Sequence, residues 1–191
     1  YKALKSCGSE CTGTQLFTDV IEKLVQKRPS AGLYKYLASK ARKDGNTSLA
    51  ITYLNNAADM SETTEDKIDI LLKIGGIHYS NGSKSSARQY ANKALALNAN
   101  SGKAHILVGR TLAGACGGTT LEKQATYWIA VDRWNKAKSV DPSVASEAQK
   151  LINTYSGSFP TKKELFMNGL TVGSSYKSNC LGSTTTVRSS D

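Results

Sequence analysis

The side chains best suited to redox, nucleophilic or metal chemistry in this sequence are four cysteines, Cys7, Cys11, Cys116 and Cys180, and two histidines, His78 and His105. Thiolates and imidazoles hold zinc when four of them converge, and such sites usually present their cysteines as closely spaced pairs. Cys7 and Cys11 form one close pair, but Cys116 and Cys180 supply no second. The cysteines are therefore open to three readings: buried thiols, disulfides or, least favoured by spacing, a zinc site. The stretch Cys116-Gly117-Gly118-Thr119-Thr120 has the glycine content of a phosphate-binding loop, yet it lacks the Gly-Lys-Ser/Thr ending and no strand precedes it. No carboxylate pair, Ser or Cys is placed by the pattern to activate either histidine, so each reads as a packed or groove-lining imidazole. No catalytic residue, metal or cofactor is expected.

The elements that position these groups belong to a chain of 191 residues, long enough for one domain with a substantial core. Hydrophobic residues make up 39% and charged residues 21%, which excludes a disordered polyelectrolyte. No apolar run approaches the roughly 20 residues of a membrane-spanning helix, and a soluble, globular chain is expected. With Tyr1 first and no basic or apolar leader after it, any targeting signal is expected to be missing from this sequence. The formal charge of +10 suggests an acidic partner or nucleic acid. Against nucleic acid, the cations are dispersed, with Lys40, Arg42 and Lys43 the densest cluster, and no basic stripe is interleaved with aromatics.

Periodicity supplies the architecture. Ala50, Leu54 and Ala57, then Ala87, Ala91 and Ala94, then Ala130, Trp134 and Ala137 repeat one spacing, and each set occupies one helical face. Each follows another helical stretch with an apolar residue before a small one: Leu37-Ala38, Ile74-Gly75 and Val108-Gly109. Gly45 and Gly82 stand in the first two intervening turns as helix terminators; the third turn is enlarged around Cys116-Gly117-Gly118. The sets begin 37 and 43 residues apart, which a unit of about 34 residues with short insertions explains. On these residues, with Tyr34, Leu71 and Pro142, the chain resembles the tetratricopeptide-repeat family, although Glu62 and Ala99 stand where Pro is usual. The resemblance implies an all-α, right-handed superhelix of helical hairpins, with small residues where helices approach closely. The array is expected over residues 1–168: a partial repeat at 15–29, repeats at about 31–64, 68–99 and 102–142, and a further helix at 143–155. Residues 169–191, Gly/Ser/Thr-rich with the β-branched run Thr184-Thr185-Thr186-Val187, are expected to form a small non-helical cap or short β-hairpin.

A second resemblance covers roughly the last third. Tyr127-Trp128-Ile129-Ala130-Val131-Asp132-Arg133-Trp134, Val140-Asp141-Pro142, Phe159-Pro160-Thr161-Lys162, Gly173-Ser174-Ser175-Tyr176, Cys180 and Thr185-Thr186-Val187-Arg188 look like the C-terminal region of exported tetratricopeptide-repeat proteins of the Bacteroidetes. Leu181-Gly182 stands where that group usually has Trp-Ile. The resemblance implies a periplasmic or outer-membrane-associated protein, and in that setting an even cysteine count favours two disulfides, Cys7 with Cys11 and Cys116 with Cys180. The longer bridge would close a loop of about 64 residues, a crosslink of roughly 4 kcal/mol on the loop-entropy model, and would pin the tail to the enlarged turn.

In tetratricopeptide arrays fixed positions of each first helix line a concave groove. By that family rule they fall here on Gly32, Lys35, Ser39, Arg42 and Lys43; on Asp69, Leu72, Gly76, Tyr79 and Ser80; and on Lys103, Ile106, Arg110, Ala113 and Gly114. Five are basic and one acidic, which suits an acidic or carboxylate-bearing protein segment. Lys35, Arg42, Lys103 and Arg110 would recognise the anion, Tyr79 and Ile106 would supply apolar contact, and Ser39 and Lys43 are further residues of the groove. The full chaperone-tail clamp of the family is not expected, because Ser39, Lys73 and Leu107 depart from it. The expected function is a non-enzymatic interaction scaffold. The alternative is a structural spacer or assembly element that meets partners, or a second copy, through its convex face or repeat ends.

Overall fold

In the computed structural model, which describes residues 14–191, the chain runs through α1 (Gln15–Lys27), α2 (Ala31–Lys43), α3 (Thr47–Asp59), α4 (Thr64–Ser80), α5 (Lys84–Leu97), α6 (Gly102–Leu112), α7 (Thr120–Val140), α8 (Ala145–Ser156) and α9 (Lys162–Met167), then β1 (Ser175–Lys177) and β2 (Thr184–Thr186). The all-α class with a C-terminal hairpin is as the sequence indicated. Polar caps set the starts. Thr14, Ser30, Asn46, Ser101, Thr119 and Thr161 each accept the backbone N–H three residues ahead, satisfying a donor the helix itself leaves unpaired, at about 1 kcal/mol each. After α2 and α4 the chain reverses at Gly45 (φ 79°) and Gly82 (φ 78°), in the left-handed region that favours glycine.

The described residues divide into two compact units, one ending at Ile74 and one running from Gly75 to Asp191. Residues 169–191 belong to the second unit. In the first unit, α2 and α3 pack as a hairpin and α1 packs on α2. Ile21, Leu33 and Leu37 form a core cluster with Phe17, Leu24, Val25, Tyr36 and Tyr53 around it. The Ala50, Leu54, Ala57 face of α3 is fully inside. Helix α4 begins at Thr64 instead of near 68, because Thr63 Oγ1 accepts the Asp66 N–H at 3.1 Å and Glu65 and Asp66 sit in its positively polarised first turn.

In the second unit, α5 packs on α6, α6 on α7 and α7 on α8. Close approach explains the recurring small residues. Ala87, Ala91, Ala94, Ala130 and Ala137 are all at 0% exposure. A Cβ on Gly75 would lie 2.7 Å from Leu107 Cδ2, and one on Gly109 would collide with the Trp134 indole. That indole is fully buried and donates to the Ile106 carbonyl at 3.2 Å. His78 stacks on Tyr90 with ring centroids 5.4 Å apart. Between α7 and α8, Asp141 caps a short 3-10 turn, Pro142–Val144, so the α-helix expected from 143 starts at Ala145.

The hairpin pairs Tyr176 with Thr185 in antiparallel register and lies along α7. Glu122 of α7 accepts from Tyr176 Oη (3.0 Å), Ser178 Oγ (3.1 Å) and the Asn179 N–H (3.2 Å). Asp132, ten residues on, accepts from Thr185 Oγ1 at 2.6 Å and pairs with the Arg188 guanidinium. Between them Trp128, at 0% exposure, meets Tyr176 and Phe159 edge to face. These contacts are why the cap does not stand as a unit of its own. Leu181 is half-buried and Gly182 takes a left-handed turn (φ 63°), so Tyr176, Thr185 and Val187 carry the packing.

Candidate functional site

Lys35, Ala38, Ser39 and Arg42 recur at spacings of three and four, which places them on one face of α2. With Lys43, Leu54 of α3 and Lys73 of α4 they line a concavity of about 270 Å³ in the first unit. None of the lining residues is acidic, and four of the seven carry a positive charge. Lys35 Nζ reaches out of this set to Asp66 Oδ1 at 2.7 Å, with side chains 37% and 34% exposed. An ion pair that open to water contributes about 0–1 kcal/mol, so an incoming carboxylate competes with Asp66 on nearly even terms. The concavity lies just below the size of ligand pockets, which are roughly 300–1,000 Å³. It suits an anchoring carboxylate or two, held by charge-assisted hydrogen bonds from Arg42, Lys43, Lys73 and the Ser39 hydroxyl.

Tyr79, Lys103, Ile106 and Arg110 fall in the second unit and do not form a matching set. Ile106 is 5% exposed and belongs to the core, so it cannot supply the apolar ligand contact expected of it. The family rule gives its angular place on the helix and does not register its burial. Arg110 Nη2 bonds Glu147 Oε1 at 2.9 Å, and its buried Nε has no hydrogen-bond partner. Lys103 is exposed, and its charge helps hold the Asp141 carboxyl below the usual range, after the larger effect of the hydrogen bond from the Ser143 side chain. Tyr79 is half-buried. It lies near enough to Tyr155 to add to a rise in that phenol's pKa, which comes first from burial.

Ala38, Leu54 and Lys73 line the concavity without being groove positions by the family rule, and Lys73 is the charged one. The rule places its fifth position at Leu72, one residue earlier, and the only signal was a lysine adjacent to that position. Of the histidines, His105 is 5% exposed, with Nε2 3.0 Å from the Ala99 carbonyl and Nδ1 unpartnered. Desolvation holds its pKa below the usual value, with Arg133 and Lys136 adding to the effect. Among the described residues, no three of His, Cys, Asp and Glu converge as a metal site would require, and no helix is long and apolar enough to cross a membrane. Cys116 of the enlarged turn is bonded to Cys180. Cys7 and Cys11, read as a second pair, lie outside the described residues.

No family model matches the chain. It is similar to two proteins named for photosystem I assembly. One is photosystem I assembly protein Ycf3 of Rippkaea orientalis, 30% identical over 142 residues, which are 70% of this chain and 82% of that protein. The other is photosystem I assembly protein Ycf3 of Acaryochloris marina, 29% identical over 145 residues, or 72% and 87% of the two chains. Those relatives, and the consecutive helical hairpins built around recurring small residues, place this chain in the tetratricopeptide-repeat family.

Proposed function

We propose that this chain is a non-enzymatic interaction scaffold that takes an acidic or carboxylate-bearing segment of a protein partner in the basic concavity of its first unit. The observation that carries the reading is the set Arg42, Lys43 and Lys73 around one concavity whose lining includes no acidic residue. The relatives support the coarser role, since both are named as assembly proteins. Repeat arrays present preorganised surfaces, so little ordering cost opposes binding. The ligand meets Arg42, Lys43 and Lys73 first and displaces Asp66 from Lys35. Lys103 and Arg110 serve at most as secondary contacts, because Arg110 already holds Glu147.

The same reading places the protein in an exported, periplasmic or outer-membrane-associated setting, supported by its C-terminal resemblance and by the bond between Cys116 and Cys180. Alkylation of native material without reductant should leave Cys116 and Cys180 unmodified; modification of all four cysteines would overturn the setting.

The binding reading is tested by affinity capture from a native envelope extract, with wild type beside an Arg42→Glu, Lys43→Glu, Lys73→Glu variant of unchanged helical spectrum. A specific partner with an acidic segment should be retained by the wild type and lost by the variant. Equal retention by both would move the site elsewhere. The second reading, an assembly element that works through its surfaces and ends, draws on Phe166 and Met167 of α9, which are 83% and 75% exposed. In that case, Phe166→Ser and not the charge reversals would release the partner.

A further inference from the structure

The second unit holds its C-terminal hairpin in two ways that differ in kind. One is a polar and aromatic seat on α7, formed by Glu122, Trp128 and Asp132. The other is the covalent bond from Cys180 to the α6–α7 turn. Cys116 is buried at 5% exposure, whereas Cys180 lies on an exposed turn and is therefore the end a reductant can reach. The ion pair of the seat is open to water, although Trp128, Ser178 and Val187 are at 0% exposure. Asp132 and Arg188 side chains are 38% and 29% exposed, and pairs that open to water hold weakly. The hairpin has three residues per strand, and two strands of that length are marginal once away from the helix they pack on.

We propose that the Cys116–Cys180 bond is a redox-operated latch: oxidised, it keeps residues 175–188 seated over Trp128; reduced by a dithiol, it lets that segment lift from α7. The exchange balances without any further reagent. A thiolate of the dithiol attacks Cys180 Sγ, the protein S–S bond breaks, and Cys116 leaves as a thiolate that takes up a proton. The second thiol then displaces Cys180 from the mixed disulfide. The reductant departs as its own disulfide, having delivered two electrons and two protons to the protein. Lifting the segment uncovers Trp128 between Glu122 and Asp132, an apolar and acidic strip on a chain of charge +10. The occupant of that strip in the oxidised protein is the chain's own tail, whose Tyr176, Thr185 and Arg188 complement it. This inference stands independently of the basic concavity.

The test is hydrogen exchange of the whole chain, oxidised and dithiol-treated, in a Cys7→Ser, Cys11→Ser background so that only this pair responds, with the wild type alongside. Intact mass establishes reduction. On reduction, amides of residues 175–187 should exchange at least tenfold faster and Trp128 fluorescence should become quenchable by acrylamide, while amides of α5 and α6 stay protected. Cys180→Ser should show the same exchange without dithiol and no response to it. Unchanged exchange at 175–187 in fully reduced protein would overturn the latch. Loss of protection throughout α5, α6 and α7 would also overturn it, because the bond would then hold the whole unit together. If Cys180→Ser does not fold, the reduced native chain alone decides.

Discussion

Two residues show how burial turns sequence into constraint. Gly109 is required by the indole of Trp134, which occupies the space a Cβ would need. Gly109→Ala should therefore destabilise the chain by about 1–3 kcal/mol, the usual cost of overpacking, measured by urea denaturation; a change under about 0.5 kcal/mol, the level of a surface substitution, would show that α6 and α7 can separate without loss. His105 is buried with its pKa lowered, chiefly by desolvation. Its folded pKa lies below the unfolded value, so between the two the unfolded chain binds more protons and stability rises with pH. That contribution is full above the unfolded pKa, about 6.5, and is lost as pH falls below it. Denaturation at pH 7.5 and pH 5 should show a larger loss for wild type than for His105→Gln, and equal losses would contradict a neutral buried imidazole. Small residues were legible in the sequence because close packing leaves a strict spacing. Ile106 was not, because spacing gives the direction of a side chain and says nothing about how deeply its neighbours bury it.

At the scale of elements, helices were legible to within a few residues wherever caps and glycines mark them, as at Ser30, Asn46, Gly45 and Gly82. Helix α4 starts earlier than its repeat suggested because Thr63 and two acids act locally, and a repeat period cannot register a local cap. The hairpin was visible as a β-branched run, but its seat was not. Glu122 and Asp132 look like ordinary solvated carboxylates of α7 until residues more than fifty positions away reach them. Removing one of these seats should loosen the hairpin alone. Asp132→Ala removes the acceptor of the Thr185 hydroxyl and the ion pair with Arg188, whose guanidinium keeps the Trp128 and Thr186 carbonyls, a loss of about 1 kcal/mol. Exchange of the β1 and β2 amides should accelerate accordingly while α2 and α3 are unaffected; an unchanged hairpin would show that the disulfide and Trp128 suffice to hold it.

For the whole molecule, the family's groove rule treats every repeat alike, whereas the side chains distribute charge unevenly. In the first unit cations line a concavity whose lining includes no acid, with Lys35 alone of them seen to pair outward, to Asp66, and in the second Arg110 is answered by Glu147 and Ile106 is withdrawn into the core. The site is thus the part of the account least legible from sequence, because it depends on which acids fold back onto which cations. The most direct measurement is the affinity of a fluorescent peptide ending in three acidic residues and a free carboxylate, titrated at two salt concentrations against wild type and against Arg42→Glu, Lys43→Glu, Lys73→Glu. Wild-type binding that weakens with salt, as exposed charge contacts do, and falls by at least about tenfold in the variant, about 1.4 kcal/mol, is the predicted result. Equal affinity for both proteins, or binding indifferent to salt, would contradict a basic concavity as the recognition site.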